Sequence, residues 1–181
     1  EVSVSGRSAL PVPEEVTKQS FRVKVWRHLE TNGLAMFPRP VYNRIPNFRG
    51  AQEAAANLAK LDVFKNAKNI KVNPDKPQEP VRLVLFLSFR ELNSAICHHV
   101  ALRYHEITQY VTCCSVSGIE DPVSLDLVVM GSVAVSKEGY RIGKGKGYGD
   151  LEFGLMMHMK AVKPSTVVVT TVHDCQVSGR R

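Results

Sequence analysis

The stretch LDLVVMGSVAVSKEGYRIGKGKGYGDLEFGLMMHMKAV, Leu125 to Val162, decides the fold. Its opening, Leu125 to Val135, is an almost unbroken apolar, β-favouring run of the kind buried on both faces of a parallel sheet. Its close, Leu151 to Val162, sets Leu155 and Met159 four residues apart, which is helical spacing. Between the two lies a run in which glycines alternate with cations, Arg141 to Asp150. Strand, glycine-rich loop and helix in that order predict one α/β unit with an anion-binding turn at its centre.

Working outward, Val81 to Leu87 (VRLVLFL) and Thr166 to Val172 (TVVVTTV) read as two more buried strands, and Asn69 to Asn73 as a short one before the turn Pro74-Asp75-Lys76-Pro77. A first helix is expected from Pro13, with Glu14 and Glu15 suited to its positive end, to the stop signal Asn32-Gly33. Within it Phe21, Val25 and Leu29 make an apolar face, while Lys18 and Arg22, also four apart, project together from one side. The prolines between Met36 and Phe48 predict an ordered loop, and alanine-rich Ala51 to Lys60 a second helix. Strands alternating with helices make an α/β domain with a mainly parallel sheet over residues 13–177. Residues 1–12 read as a disordered lead-in and 178–181 as a tail. The segment 88–121 is atypical: its periodicity is poor, and it is either a helix around Glu91 to His99 followed by a strand, or sequence foreign to the fold.

At 181 residues, 44% hydrophobic and 23% charged, the chain has the composition of a single globular domain. Wholesale disorder, a collagen-like chain and a disulfide-dense scaffold are excluded. No apolar run reaches the roughly 18–20 residues that a membrane helix needs, and no secretory signal core is present. Beginning at Glu1, the chain reads as a fragment or a processed product. Four cysteines (Cys97, Cys113, Cys114 and Cys175) without a signal peptide point to free thiols in a reducing, cytoplasmic setting, and no CxxC spacing offers a structural zinc site. The net charge of +7 favours anionic partners: nucleotide phosphates, RNA or anionic lipid heads.

The strongest chemical feature is Arg141-Ile142-Gly143-Lys144-Gly145-Lys146-Gly147-Tyr148-Gly149-Asp150. Alternating glycines let backbone amides crowd around an anion without Cβ obstruction, and the helix that follows adds its positive end. Arg141, Lys144 and Lys146 match a polyphosphate in number and reach, and Asp150 stands where a carboxylate could hold the Mg²⁺ that accompanies ATP. The run is neither GxxxxGK[ST] nor GxGxxG with a distant acidic residue. Lys146-Gly147-Tyr148-Gly149 echoes an RNA-recognition sheet motif, but Asp150 replaces the stacking aromatic and the segment turns helical, so the match is coincidental. A connector whose lysines are solvated and whose Asp150 caps the helix is the bland alternative.

Other candidates are weaker. His98, His99 and His105 lack a carboxylate or thiol pattern that would fix a metal. His173-Asp174-Cys175 resembles a base beside a nucleophile, yet packing at a strand end explains it better. Trp26 and Tyr148 each suit stacking on a base or pterin ring, and each equally suits a core.

The loop RIGKGKGYGD with its preceding strand, and Lys18-Gln19-Ser20-Phe21-Arg22 as a K-x-x-x-R element, resemble the 5-formyltetrahydrofolate cyclo-ligase (methenyltetrahydrofolate synthetase) family. A closer resemblance, to an animal branch of that family, covers about Lys18 to Ser88 and Leu125 to Val177. It implies a NagB/RpiA-like three-layer α/β domain, incomplete at its C-terminus. In the family ATP phosphorylates the formyl oxygen of 5-formyltetrahydrofolate, ring closure forms the methenyl bridge, and phosphate leaves, with Mg²⁺ required. Carried onto this chain, the resemblance implies that Lys18 and Arg22 meet the ATP phosphates. Gly143, Gly145 and Gly147 with Arg141, Lys144 and Lys146 would form the phosphate loop, Tyr148 would border the ligand, and Asp150 would hold Mg²⁺.

The chain departs from the family at four places, one of them the stop of the resemblance after Val177, which is expected to lose the final strands and any later acidic metal ligand. Gly149 replaces the loop's second tyrosine, no folate-contacting glutamate can be placed among Arg44 to Ala56, and 88–121 stands where a VPTPRLR-type segment should line the site. The expected function is therefore a cyclo-ligase-like domain of an RNA-associated protein that keeps a nucleotide-phosphate loop with weak or no cyclo-ligase activity. An active ATP- and Mg²⁺-dependent enzyme is the alternative. Partners implied are a nucleotide, a folate, and RNA through a C-terminal domain outside this chain, with no membrane contact.

Overall fold

The computed structural model describes residues 17–88 and 124–179. The lead-in 1–12, the residues Pro13 to Glu15, the helix expected around Glu91 to His99, and the histidines and cysteines between 97 and 114 lie outside the described residues.

The core is a parallel sheet of three strands in the order β1 (Ile70–Val72), β2 (Leu127–Val129), β5 (Val167–Val169), in register as Ile70, Leu127 and Val167. Alternation along β2 sends Leu127 and Val129 to one face and Val128 to the other, and all three are fully buried. On the first face they join Ala55 and Leu58 of helix α2 (Ala51–Ala59), Phe64 of the short α3 (Asp62–Lys65), and Val81 and Leu85 of α4 (Glu79–Ser88). On the second face Val128 and Met130 meet Met156 of α5 (Tyr148–His158), together with Ala161 and Val162. Helices on both faces are what the uninterrupted apolar character of β2 requires.

A second sheet has the order β4 (Arg141–Ile142), β3 (Ala134–Ser136), β6 (Val177–Ser178), with β3 antiparallel to β4 and parallel to β6. Helix α1 (Lys18–Thr31) packs here through Val25, Trp26 and Leu29. It opens at Lys18, not at Pro13, because Thr17 and Ser20 form a reciprocal capping box, each hydroxyl accepting from the other's amide at 3.0 Å.

Four further expectations are corrected. Val81 to Leu87 is a helix, not a strand. Strands β1 and β2 are parallel neighbours, so the chain between them must contain a crossover, and α4 supplies one with Pro80 in its first turn. Its apolar residues divide by helical spacing: Val81 and Leu85 are buried, each worth about 1.5–3 kcal/mol, while Leu83 and Leu87 are exposed. The run Leu125 to Val135 is two strands in two sheets, parted at Met130-Gly131-Ser132. There the main-chain carbonyls are taken by side chains: Gly131 O by Arg141 Nη2 at 2.9 Å, and Ser132 O and Val133 O by Gln176 Nε2 at 3.1 Å each. The last helix starts three residues earlier than the leucine spacing suggests and ends at His158, and the last expected buried strand shortens to β5, an edge strand in which Val167 and Val168 are exposed. A mixed α/β architecture built on a parallel sheet holds throughout. Among the described residues no helix is long and apolar enough to cross a membrane.

Candidate functional site

Strands β1 and β2 end at Asn73-Pro74-Asp75 and Met130-Gly131, on the side of the sheet where open α/β folds bind ligands. The glycine-rich run crosses this edge as the link between β4 and α5. It borders a cleft of about 320 Å³ lined by Arg22, Asp75, Gly131 and residues Arg141 to Glu152 except Ile142.

The loop takes its shape from its glycines. Gly145 (φ 92°) and Gly147 (φ 74°) are left-handed, and Gly147 is the residue from which α5 starts. No described residue accepts a hydrogen bond from the amides of residues 144–149, so these N–H groups are left for an outside acceptor, while the Asp150 and Leu151 amides donate to Gly147 O. Tyr148, 64% exposed, stands at the mouth.

Arg22 reaches the loop from α1, its Nε donating to Gly143 O at 2.7 Å. Arg141 turns back under the loop, donating from Nη2 to Gly131 O and facing Asp150 Oδ1 at 3.5 Å, while its buried Nε has no partner. Lys144 Nζ lies 3.4 Å from Asp75 Oδ1. Lys146 is exposed and has no ion pair among the described residues. The structure thus gathers Arg22, Arg141, Lys144, Lys146, Gly143, Gly145, Gly147, Tyr148 and Asp150 around one cleft. Lys18 is exposed one turn before Arg22 and does not line it.

Sequence reasoning missed two groups here. Asp75 enters from the turn after β1, and the signal for it was an acid at the carboxyl end of a parallel strand. Lys71 points from the middle of β1 to the α5 face, where it is 1% exposed and binds Asn73 Oδ1 at 2.6 Å and Glu152 Oε1 at 2.9 Å. That pair holds the second turn of α5 over β1. Its signal was a lysine among strand apolars, a position that is almost never buried without a partner.

Magnesium keeps phosphate oxygens and waters in its shell and takes one or two carboxylates from protein. Asp75 and Asp150 are hard-oxygen donors on the same cleft, so the residues present fit such an ion. No cluster of three His, Cys, Asp or Glu that could hold a metal occurs among the described residues.

The remaining candidates fall away from the cleft. Trp26 is core: it is 1% exposed, its Nε1 donates to Arg44 O at 3.0 Å, and it meets Tyr42 edge-on. His173 Nδ1 accepts from the Cys175 amide at 3.2 Å, and burial pushes the Cys175 thiol above its ordinary value, which is opposite to what a nucleophile needs. Those residues form a short turn packed against α1, in keeping with a structural role.

Residues 14–180 match the 5-formyltetrahydrofolate cyclo-ligase family, a span that includes the atypical segment. The chain is 45% identical to the methenyltetrahydrofolate synthase domain-containing protein of Homo sapiens, over 90% of this chain and 47% of that one. It is 44% identical to the protein of the same description in Danio rerio, over 89% and 47%. It therefore spans about half the length of these relatives. The NMR structure of Aquifex aeolicus 5,10-methenyltetrahydrofolate synthetase superposes with a TM-score of 0.54 at 23% identity, covering 88% of this chain and 79% of that one, a likeness of fold.

Proposed function

This chain belongs to the 5-formyltetrahydrofolate cyclo-ligase family, and from that premise we propose that its cleft binds the phosphates of a nucleoside triphosphate with magnesium, with weak or no cyclo-ligase turnover. The observation that carries this reading is the convergence of Arg22 from α1, Arg141 and Lys144 from the loop, and the N-terminal turn of α5 on one cleft. Backbone amides and the helix end supply directed donors for phosphate oxygens, and the side chains supply charge. Arg22 braces the loop through Gly143 and stands where it can turn a second donor to a phosphate. Lys146, exposed and unpaired among the described residues, is the cation that loses nothing by meeting an anion. Asp150 and Asp75 would hold magnesium. When bound, that ion would neutralise charge on a phosphoryl group in transfer.

Weak turnover is supported by Gly149. A Cβ there would make only ordinary contacts, with Met130 at 3.4 Å and Arg141 at 3.5 Å, so a side chain has room at this position and the cleft simply lacks the second aromatic ring that the family places there. Titration of Mg·ATP with a thermal-shift readout tests the binding. Stabilisation of the wild type that is lost in Lys146→Ala is expected, and no shift in the wild type would refute the reading. Steady-state turnover of 5-formyltetrahydrofolate that disappears in Asp150→Ala would establish the active alternative. The +7 charge also supports contact with RNA, tested by salt-dependent binding of this chain to single-stranded RNA.

A further inference from the structure

We infer that Asp75 and Lys144 form an exchangeable ion pair that ties polyphosphate binding to a divalent cation: the phosphate takes the Lys144 ammonium, and the cation takes the released Asp75 carboxylate. The inference rests on the phosphate-binding reading of the cleft and assigns a role to a residue outside the glycine-rich loop.

Asp75 Oδ1 lies 3.4 Å from Lys144 Nζ, with the aspartate side chain 18% exposed. Its other oxygen is wedged against the main chain of Gly131, where a Cβ would come within 2.7 Å of Asp75 Oδ2 and 3.1 Å of Gln78 Oε1. Only glycine at 131 allows this approach. Gln78 is fully buried, and its Oε1 has no hydrogen-bond partner although its Nε2 donates to Thr171 Oγ1 at 3.2 Å. Two acceptor oxygens therefore converge beside Gly131; Lys144 faces the Asp75 carboxylate, while Arg141 and Arg82 donate to the main-chain carbonyls of Gly131 and Asp75 at 2.9 and 3.3 Å. A lysine on a phosphate loop cannot serve a phosphate and this carboxylate equally. Once it turns to the phosphate, the largely enclosed Asp75 carboxylate loses its Lys144 partner, which is costly. A hard divalent cation repairs the loss, because carboxylate, amide oxygen, phosphate oxygens and water are the ligands such ions take. Asp150, with its side chain 86% exposed beside Arg141, has no comparable need.

The linkage is reciprocal, so it can be read from either side. Calorimetric titration of the chain with inorganic tripolyphosphate, with and without Mg²⁺, is compared for wild type and Asp75→Asn. Removal of the competing carboxylate is expected to tighten Mg²⁺-free binding about two- to fivefold, the range of a partly exposed ion pair. It is expected to reduce the Mg²⁺ enhancement by about fivefold or more. Full Mg²⁺ enhancement in Asp75→Asn, or weaker Mg²⁺-free binding, would overturn the inference.

Because Asp75 also packs on Gly131, Lys144→Gln provides the opposite arm. With the aspartate released, Mn²⁺ binding without phosphate, followed by electron paramagnetic resonance, should tighten severalfold; unchanged Mn²⁺ affinity would refute the pair. If Lys146→Ala weakens tripolyphosphate binding while Asp75→Asn keeps its full Mg²⁺ response, the exchangeable pair fails and the phosphate cleft stands. If the wild type binds no tripolyphosphate under either condition, both fall.

Discussion

The Arg22 guanidinium donates from Nε to the Gly143 carbonyl across 2.7 Å, joining a helix near the N-terminus to a loop 121 positions later in sequence. This one contact sets the first turns of α1 beside the glycine-rich loop and brings an additional cation to it.

Arg22→Ala should weaken Mg·ATP binding about tenfold or more, since a hydrogen bond from a charged group contributes about 1.5–3 kcal/mol. Arg22→Lys should rescue little, because an ammonium cannot hold the Gly143 carbonyl and a phosphate oxygen with one planar fork. Isothermal titration calorimetry measures both, and an unchanged dissociation constant in Arg22→Ala would remove the residue from the site.

Gly145 and Gly147 are both left-handed, yet they differ in surroundings. A Cβ at 145 would stand 3.2 Å from Arg22 Cζ, while one at 147 meets nothing within 4 Å. Alanine at either position costs about 1–2 kcal/mol in backbone strain, and only Gly145→Ala also displaces the guanidinium. Nucleotide affinity should therefore fall further in Gly145→Ala than in Gly147→Ala, at similar losses of thermal stability. Equal affinities would contradict the close approach.

Lys71→Ala removes the partner of Glu152 at a site where the lysine is 1% exposed and the glutamate 21%. Breaking a buried pair from one side costs about 3–5 kcal/mol. Lys71→Met combined with Glu152→Gln should recover much of that, since neither variant side chain carries a charge. Thermal unfolding by circular dichroism compares the two. A double variant no more stable than Lys71→Ala would refute the unpaired charge as the source of the loss.

Glu30 anchors the proline-rich loop, accepting from Arg39 Nε at 2.9 Å and Nη2 at 2.6 Å and from the Val41 amide at 2.7 Å. The Arg39 hydrogen bonds foremost, then the Val41 amide, hold its carboxyl below the usual value. A carboxyl lowered in the folded state stabilises the fold above its ordinary pKa, and that stability disappears as pH falls through the folded value. Glu30→Gln should thus lower the melting temperature at pH 7 by a few degrees, for a loss of about 1 kcal/mol. At a pH below that lowered folded value the variant and wild type should converge, because both side chains are then neutral. An equal gap at both pH values would refute the charge assignment.

The legibility of the site follows the range of the forces involved. Glycine alternation and nearby cations act within a few residues, so Arg141 to Asp150 could be read as one anion-binding run, and all its members but Ile142 line one cleft. Gly131 broke the apolar run visibly, and such an isolated glycine signals close backbone approach. What it approached, Asp75 and Gln78, lies more than fifty positions away and leaves no local trace. Val81 to Leu87 carried an ambiguous pattern, since short apolar runs suit a buried strand and a buried helix alike.

By itself, the sequence determined an α/β chain, a loop able to take left-handed turns, and the chemistry that loop offers, because those properties reside in neighbouring residues and their backbone preferences. The tertiary structure alone decided that Val81 to Leu87 must cross over as a helix, that Lys18 stays clear of the cleft, and that Asp75 faces Lys144. These outcomes depend on which strands lie side by side, and strand adjacency is set by burial of distant surfaces, not by local preference.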